Sequence, residues 1–170
     1  PAFYPHPAPR VELRETHISV VFLAGEWAYK LKKHKDLGFL DFRDPARRLH
    51  FCVQEVKLNQ RLSFDVYHEV LGIHAGVTGL CFGPVEGALE YAVKMRRLPD
   101  DASLEVLLRE GRVKNEDVAR LADALAAFHA KAERGQGIDA YGDFENIRFN
   151  MEENFTQIRP VAQDLLDAQK

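Results

Sequence analysis

The sequence predicts an α+β fold with its strands and helices segregated along the chain, for three reasons. Up to about Leu98 it consists of short runs rich in β-branched and aromatic residues, bounded by glycine-containing turns. A single helix-like stretch, opening after Asp44-Pro45, interrupts these runs. From Pro99 onward the apolar residues recur at helical spacing instead. This segregation places a sheet-based lobe at residues 1–98 and a helical lobe at residues 99–170. A chain of 170 residues buries roughly 70% of its unfolded surface and holds a core without staples.

Residues Pro1 to Pro9 hold four prolines and are expected to form an irregular arm. "VELRETHISVVFLAG", from Val11, reads as strand broken by a turn at Thr16-His17 and ended by Ala24-Gly25. "EWAYKLKK" is the return strand, so three strands follow in sequence. "HKDLGFLDFRD" is a connector loaded with Leu37, Phe39, Leu40 and Phe42, expected to lie against the next helix. Asp44 is the expected N-cap of that helix and Pro45 its first residue, with an end near Leu62. "VYHEVLGIHAGVTGLCFGP" and "LEYAVKMRRL" supply further strands. Ser103 is expected to cap a short helix ending at Gly111, and Asn115 a longer one with Gly135 past its end. Val118, Leu121, Ala122, Leu125, Phe128 and Ala132 form the apolar stripe of the longer helix. Asn150 and Glu153 are read as the capping box of a last helix that Pro160 should kink.

The net charge of −3 argues against a general polyanion binder, so no nucleic-acid partner is expected; a small anion needs only a local positive site. The two cysteines, Cys52 and Cys81, sit in apolar surroundings and read as reduced core thiols of a cytoplasmic protein. No apolar run approaches the roughly 20 residues of a membrane span. The seven histidines form no His-x-x-x-His pair, so no metal site of sequence-local ligands is expected.

Two residues break the apolar pattern. In "WAYKLKK" Ala28, Lys30 and Lys32 share one face of the strand, and Tyr29 and Leu31 the other, which sets an ammonium group at position 30 in a core-like strand. In the helix after Pro45, Phe51, Glu55, Leu58 and Leu62 share a face, which sets a carboxylate on an apolar stripe. Burying either alone is costly, and pairing Lys30 with Glu55 resolves both. The alternative is that Lys30 snorkels to a sheet edge and Glu55 sits at the helix margin. The run Lys32-Lys33-His34-Lys35 reads as a solvated strand end.

At these residues the sequence resembles a family. Ala28-Tyr29-Lys30 resembles the Ala-x-Lys of the third strand in protein-kinase-like folds, Glu55 the glutamate of the following helix, and Tyr91 to Pro99 the strand that runs into the hinge. "ETHISVVFLAGEWAYKLKK", "DLGFLDF", "RRLHFCVQEVKLNQRL" and "EENFTQIRP" are similar to a bacterial group of aminoglycoside-phosphotransferase-like proteins, often fused to a second, P-loop ATP-binding domain. The resemblance implies a kinase-like fold and ATP with Mg²⁺ as cofactors. Lys30 would contact the α- and β-phosphates, held by Glu55. Arg96 and Leu98 would meet the adenine edge through their backbone, with Met95 lining its pocket. The turn Thr16-His17-Ile18-Ser19 falls where a kinase keeps its glycine-rich loop; no Gly-x-Gly-x-x-Gly is present, so the Thr16 and Ser19 hydroxyls or local N–H groups would serve.

The sequence departs from the family at the chemistry. The His-Gly-Asp-x-x-x-x-Asn loop that orients the acceptor and holds Mg²⁺ is absent. His34-Lys35-Asp36-Leu37 mimics it four residues after Lys30, too early for a catalytic loop, and Tyr141-Gly142-Asp143-Phe144-Glu145-Asn146 reads as a turn between helices. The expectation is the nucleotide-gripping portion of a longer small-molecule phosphotransferase, cut before its catalytic segment, with the Mg²⁺ ligands and the acceptor site elsewhere. The competing expectation is a non-catalytic kinase-like module that binds nucleotide or another protein.

Overall fold

The computed structural model describes residues 3–63, 65–77 and 79–167. The chain divides into two compact units, one ending at Val113 and the other beginning at Lys114. The first unit is α+β and is built on a six-stranded antiparallel sheet. Its strands are β1 (Val11–Glu15), β2 (Ser19–Ala24), β3 (Trp27–Lys32), β4 (Tyr67–Gly76), β5 (Gly79–Gly83) and β6 (Glu90–Arg96), in the spatial order β1-β2-β3-β6-β4-β5. Helix α1 (Pro45–Ser63) follows β3 and packs across β4 and β6.

The turns fall where the local chemistry requires them. At Thr16-His17-Ile18 the Thr16 hydroxyl accepts from the Ser19 N–H at 3.0 Å while the Thr16 N–H reaches the Ser19 carbonyl at 2.9 Å. Gly25 turns β2 into β3 with φ of 61°, and a Cβ there would stand 3.0 Å from the Pro7 carbonyl oxygen, so the position needs glycine on two counts. Asp44 caps α1, its carboxylate accepting from the Ala46 N–H at 2.9 Å.

The sheet has two apolar faces. Under α1 lie Tyr91 and Val93, which cluster with Cys52 of the helix, and Leu49, Val56, Val70 and Met95 pack against them. On the opposite face Ala8, Ala24, Tyr29, Ile73 and Ala92 form a second cluster, joined by Phe3, Tyr4, Phe22 and Phe82. The N-terminal stretch is therefore part of the core: Tyr29 Oη lies 2.9 Å from His6 Nε2, and burial pushes the Tyr29 hydroxyl up to about 12.

The stripe expected on α1 is displaced by one position. Phe51, Leu58 and Leu62 are exposed, whereas Arg48 and Cys52 are buried and Leu49 and Val56 face the sheet. Glu55 borders both stripes, because one residue turns the helix by only about 100°. Arg48 donates to the Phe42 and Arg43 carbonyls at 2.7 and 3.0 Å and to Glu90 at 2.9 Å, tying the connector to α1 and β6. Phe42 is buried and meets Phe51 edge-on, while Phe39 is exposed, so only half of the aromatic connector packs on the helix.

After β6 come α2 (Leu104–Arg109), α3 (Asn115–Ala130), α4 (Gln136–Asp139) and α5 (Phe144–Asp167). Ser103 caps α2 through its hydroxyl, which accepts from the Val106 N–H. Two expected caps are corrected. Lys114 rather than Asn115 precedes α3, with the Asp117 carboxylate accepting from the Lys114 N–H at 3.0 Å. Asn150 lies inside α5, because the turn at Tyr141-Gly142 already starts that helix and the Asp143 carbonyl accepts from the Ile147 N–H at 3.0 Å. Gly135 opens α4 rather than ending α3, and α5 runs on through Pro160. Val118, Leu121 and Leu125 of α3, and Ile147, Phe155 and Ile158 of α5, are exposed.

Both cysteines are free, but only Cys52 is a core residue; Cys81 is exposed on β5. Burial pushes the Cys52 thiol up to about 11. Iodoacetamide at pH 8 is expected to alkylate Cys81 quickly and Cys52 only after denaturation, read by peptide mass spectrometry. Equal labelling of the native protein at both positions would contradict this packing.

Candidate functional site

The site grows from the β3 alternation. Residues directly opposite on neighbouring strands share a face, and Lys30 is opposite Val21 and Val93, Ala28 opposite Leu23 and Met95, and Lys32 opposite Ser19. Ala28, Lys30, Lys32 and Met95 therefore look toward the same side of the sheet as the Cys52 cluster beneath α1. Eight residues before its last one, α1 presents Glu55 to this side; Lys30 Nζ lies 2.8 Å from Glu55 Oε1.

A second ammonium group joins them. Lys32 Nζ lies 2.7 Å from Glu55 Oε2, so both carboxylate oxygens are held by lysines. The side chains are 27% exposed for Lys30, 7% for Lys32 and 13% for Glu55. Lys32 also stands 5.2 Å from the centroid of the Phe42 ring. The solvated strand end expected from Lys32-Lys33-His34-Lys35 is thus corrected at its first residue: alternation turns Lys32 inward beside Lys30. Lys33 points the other way and donates to the Thr16 carbonyl at 2.5 Å. Two ammonium groups against one carboxylate leave the cluster with a net charge of +1, the local positive site a small anion requires.

Burial drives the Glu55 carboxyl upward; the hydrogen bonds and charges of Lys30 and Lys32 outweigh it, and the group ends below the ordinary glutamate value. Such a carboxylate contributes stability above its unfolded pKa, and the contribution disappears as pH falls through the folded one.

The other sequence-predicted residues lie as follows. Met95 packs against the Cys52–Val93 cluster. Arg96 and Leu98 line, with Trp27, Arg97 and Pro99, a cavity of about 410 Å³ beside the Gly25-Glu26 turn. The Arg96 and Arg97 N–H groups are committed, to the Val66 and Glu26 carbonyls at 2.8 Å each; among the described residues none accepts from the Leu98 N–H. Lys30 does not line this cavity: strand alternation puts Trp27 and its register partner Arg96 on the face of Tyr29, opposite the face of Lys30. The Thr16 hydroxyl is engaged inside its own turn, and His17 is exposed. Ser19 is fully buried, and its hydroxyl has no partner among the described residues. Sequence reasoning missed Lys32, although its position two residues after Lys30 was a sufficient signal. Among the described residues no group of three or more His, Cys, Asp or Glu side chains is arranged to hold a metal.

The chain is similar to uncharacterized proteins of Mycobacterium tuberculosis (strain H37Rv) and Mycobacterium bovis, 34% identical to each over 154 residues. The match covers 91% of this chain and 29% of each relative, so the chain spans less than a third of the length of the curated relatives it matches. No family model and no solved structure matches it. Among the described residues no helix is long and apolar enough to cross a membrane.

Glu55→Gln is expected to cost about 3 kcal/mol at pH 7, since it leaves two inward lysines without their anion. The gap to wild type should narrow as pH falls from the ordinary glutamate range through the folded Glu55 pKa, which lies below it, because the wild-type carboxyl then also takes up its proton. Urea unfolding at pH 7, 5 and 3.5 reads this directly; a gap that is constant or widens in acid would show that Glu55 is not the ionised centre of the cluster.

Proposed function

We propose that the first unit is the nucleotide-gripping part of an ATP-dependent small-molecule phosphotransferase of the aminoglycoside-phosphotransferase-like, kinase-like type. The observation that carries this reading is the 2.8 Å contact between Lys30 on the third strand and Glu55 on the helix that follows it. A strand lysine paired with a helix glutamate is the device by which kinases present an ammonium group to the α- and β-phosphates of ATP. The cluster's charge of +1 supports a polyphosphate ligand over a neutral one. The Leu98 N–H, which follows β6 and has no acceptor among the described residues, offers a donor to the base.

In this reading Lys30 binds phosphate and Glu55 orients Lys30. The phosphate-covering role falls to the β1–β2 turn only through backbone groups, because the Thr16 hydroxyl is already bonded. Orientation of the acceptor and binding of Mg²⁺ are assigned to sequence beyond these 170 residues, for which the greater length of the mycobacterial relatives leaves room. The acceptor belongs to that part as well.

Mg-ATP titrated calorimetrically into this chain should bind, and Lys30→Ala should weaken binding at least tenfold, about 1.4 kcal/mol. Equal binding by both proteins, or none by the wild type, would remove the reading. The chain alone should turn over no ATP with added small-molecule acceptors; turnover abolished by Asp143→Asn would locate catalysis in the 141–146 turn and contradict the assignment.

A further inference from the structure

We infer that the two lysines on Glu55 divide the work: Lys32 is the positioning residue that holds the carboxylate, and Lys30 is the cation free to meet a ligand's phosphate. The inference deepens the nucleotide reading and rests on it for the role of Lys30.

The two ammonium groups differ in surroundings. Lys32 is nearly closed off from solvent and has two fixed neighbours, Glu55 Oε2 at 2.7 Å and the Phe42 ring at 5.2 Å. The Phe42 carbonyl is itself held by the buried Arg48 guanidinium at 2.7 Å, so the ring beside Lys32 is anchored to α1. Lys30 is about four times as exposed and has, among the described residues, one polar partner, Glu55 Oε1 at 2.8 Å.

A phosphate that draws the lysine of a simple pair toward itself weakens that lysine's hold on the glutamate, and a buried carboxylate losing its partner is costly. Here Lys32 keeps Oε2 while Lys30 turns. Glu55 stays ionised and oriented, and the surplus positive charge is carried by the more exposed of the two lysines. Ser19, fully buried opposite Lys32 in the β2–β3 register, closes that end of the cluster to solvent.

The test compares Lys30→Met, Lys32→Met and Lys32→Arg in the 170-residue chain, by thermal unfolding and by calorimetric titration with inorganic tripolyphosphate and Mg-ATP. Lys32→Met should lower Tm by about 5–10 °C and Lys30→Met by less than half as much. Lys32→Arg should recover most of the loss, since a guanidinium reaches a carboxylate and stacks on an aromatic face. If Lys32→Met does not fold at all while Lys32→Arg does, that is the same result in stronger form. Tripolyphosphate affinity should fall at least tenfold in Lys30→Met and less than threefold in Lys32→Arg. A larger Tm loss for Lys30→Met, or a larger affinity loss for Lys32→Arg, overturns the division. If the wild type binds neither probe, the nucleotide reading and the Lys30 half fall together, and the order of Tm losses still decides whether Lys32 is the residue that holds Glu55.

Discussion

A single carboxylate held between two ammonium groups sets the terms for the rest of the first unit. Glu55 reaches in from α1, Lys30 and Lys32 from β3, and the three charged groups meet beside an apolar layer of Cys52, Val93 and Met95. Each charge alone would be costly there, and the arrangement persists because every oxygen of the carboxylate has an ammonium partner. It also fixes geometry: the helix can neither slide along the sheet nor rotate without separating charges. The Arg48–Glu90 pair, about two turns nearer the start of α1 on the same face, does the same for the connector, through the Phe42 and Arg43 carbonyls.

Packing and electrostatics are thereby joined. An apolar helix–sheet contact tolerates slippage at small cost, whereas three charges in a half-buried setting do not. The cluster's surplus positive charge faces the side on which Lys30 is partly open. An anionic ligand entering there meets a cation already oriented, so it need not order the site itself. This is the physical content of the proposed nucleotide grip.

Much of this was legible in the sequence, and what was not has identifiable causes. Lys30 and Glu55 stood out because each broke an apolar period, and the α+β order of elements followed from the change in periodicity near Leu98. Lys32 was hidden by its neighbours: in a run of basic residues, composition says surface, while strand alternation separates Lys32 from Lys33. The inner face of α1 was misplaced by one residue because Phe51, Leu58 and Leu62 are large and apolar yet exposed, and the buried face carries Arg48, whose burial depends on carbonyls distant in sequence. The stretch from Phe3 to Pro9 is irregular, as its prolines suggest, but no local pattern announces that Ala8 and Tyr4 join the core, Tyr4 through ring contacts with Tyr29 and Phe82. Asn115 is a favourable cap residue one position past the true cap of α3, whereas Asn150 lies well inside α5; backbone conformation rather than residue type decided both boundaries.

The central claim is that Lys30 and Lys32 both hold Glu55 in the interior between sheet and helix. Lysine-selective ¹⁵N NMR at low temperature and pH 6 measures this most directly, because a salt-bridged, solvent-shielded ammonium exchanges its protons slowly enough to be seen. The account predicts two protected NH₃⁺ signals, assigned by Lys30→Arg and Lys32→Arg, that shift together and broaden in Glu55→Gln. Absence of any protected ammonium signal, or two signals indifferent to Glu55→Gln, would contradict it.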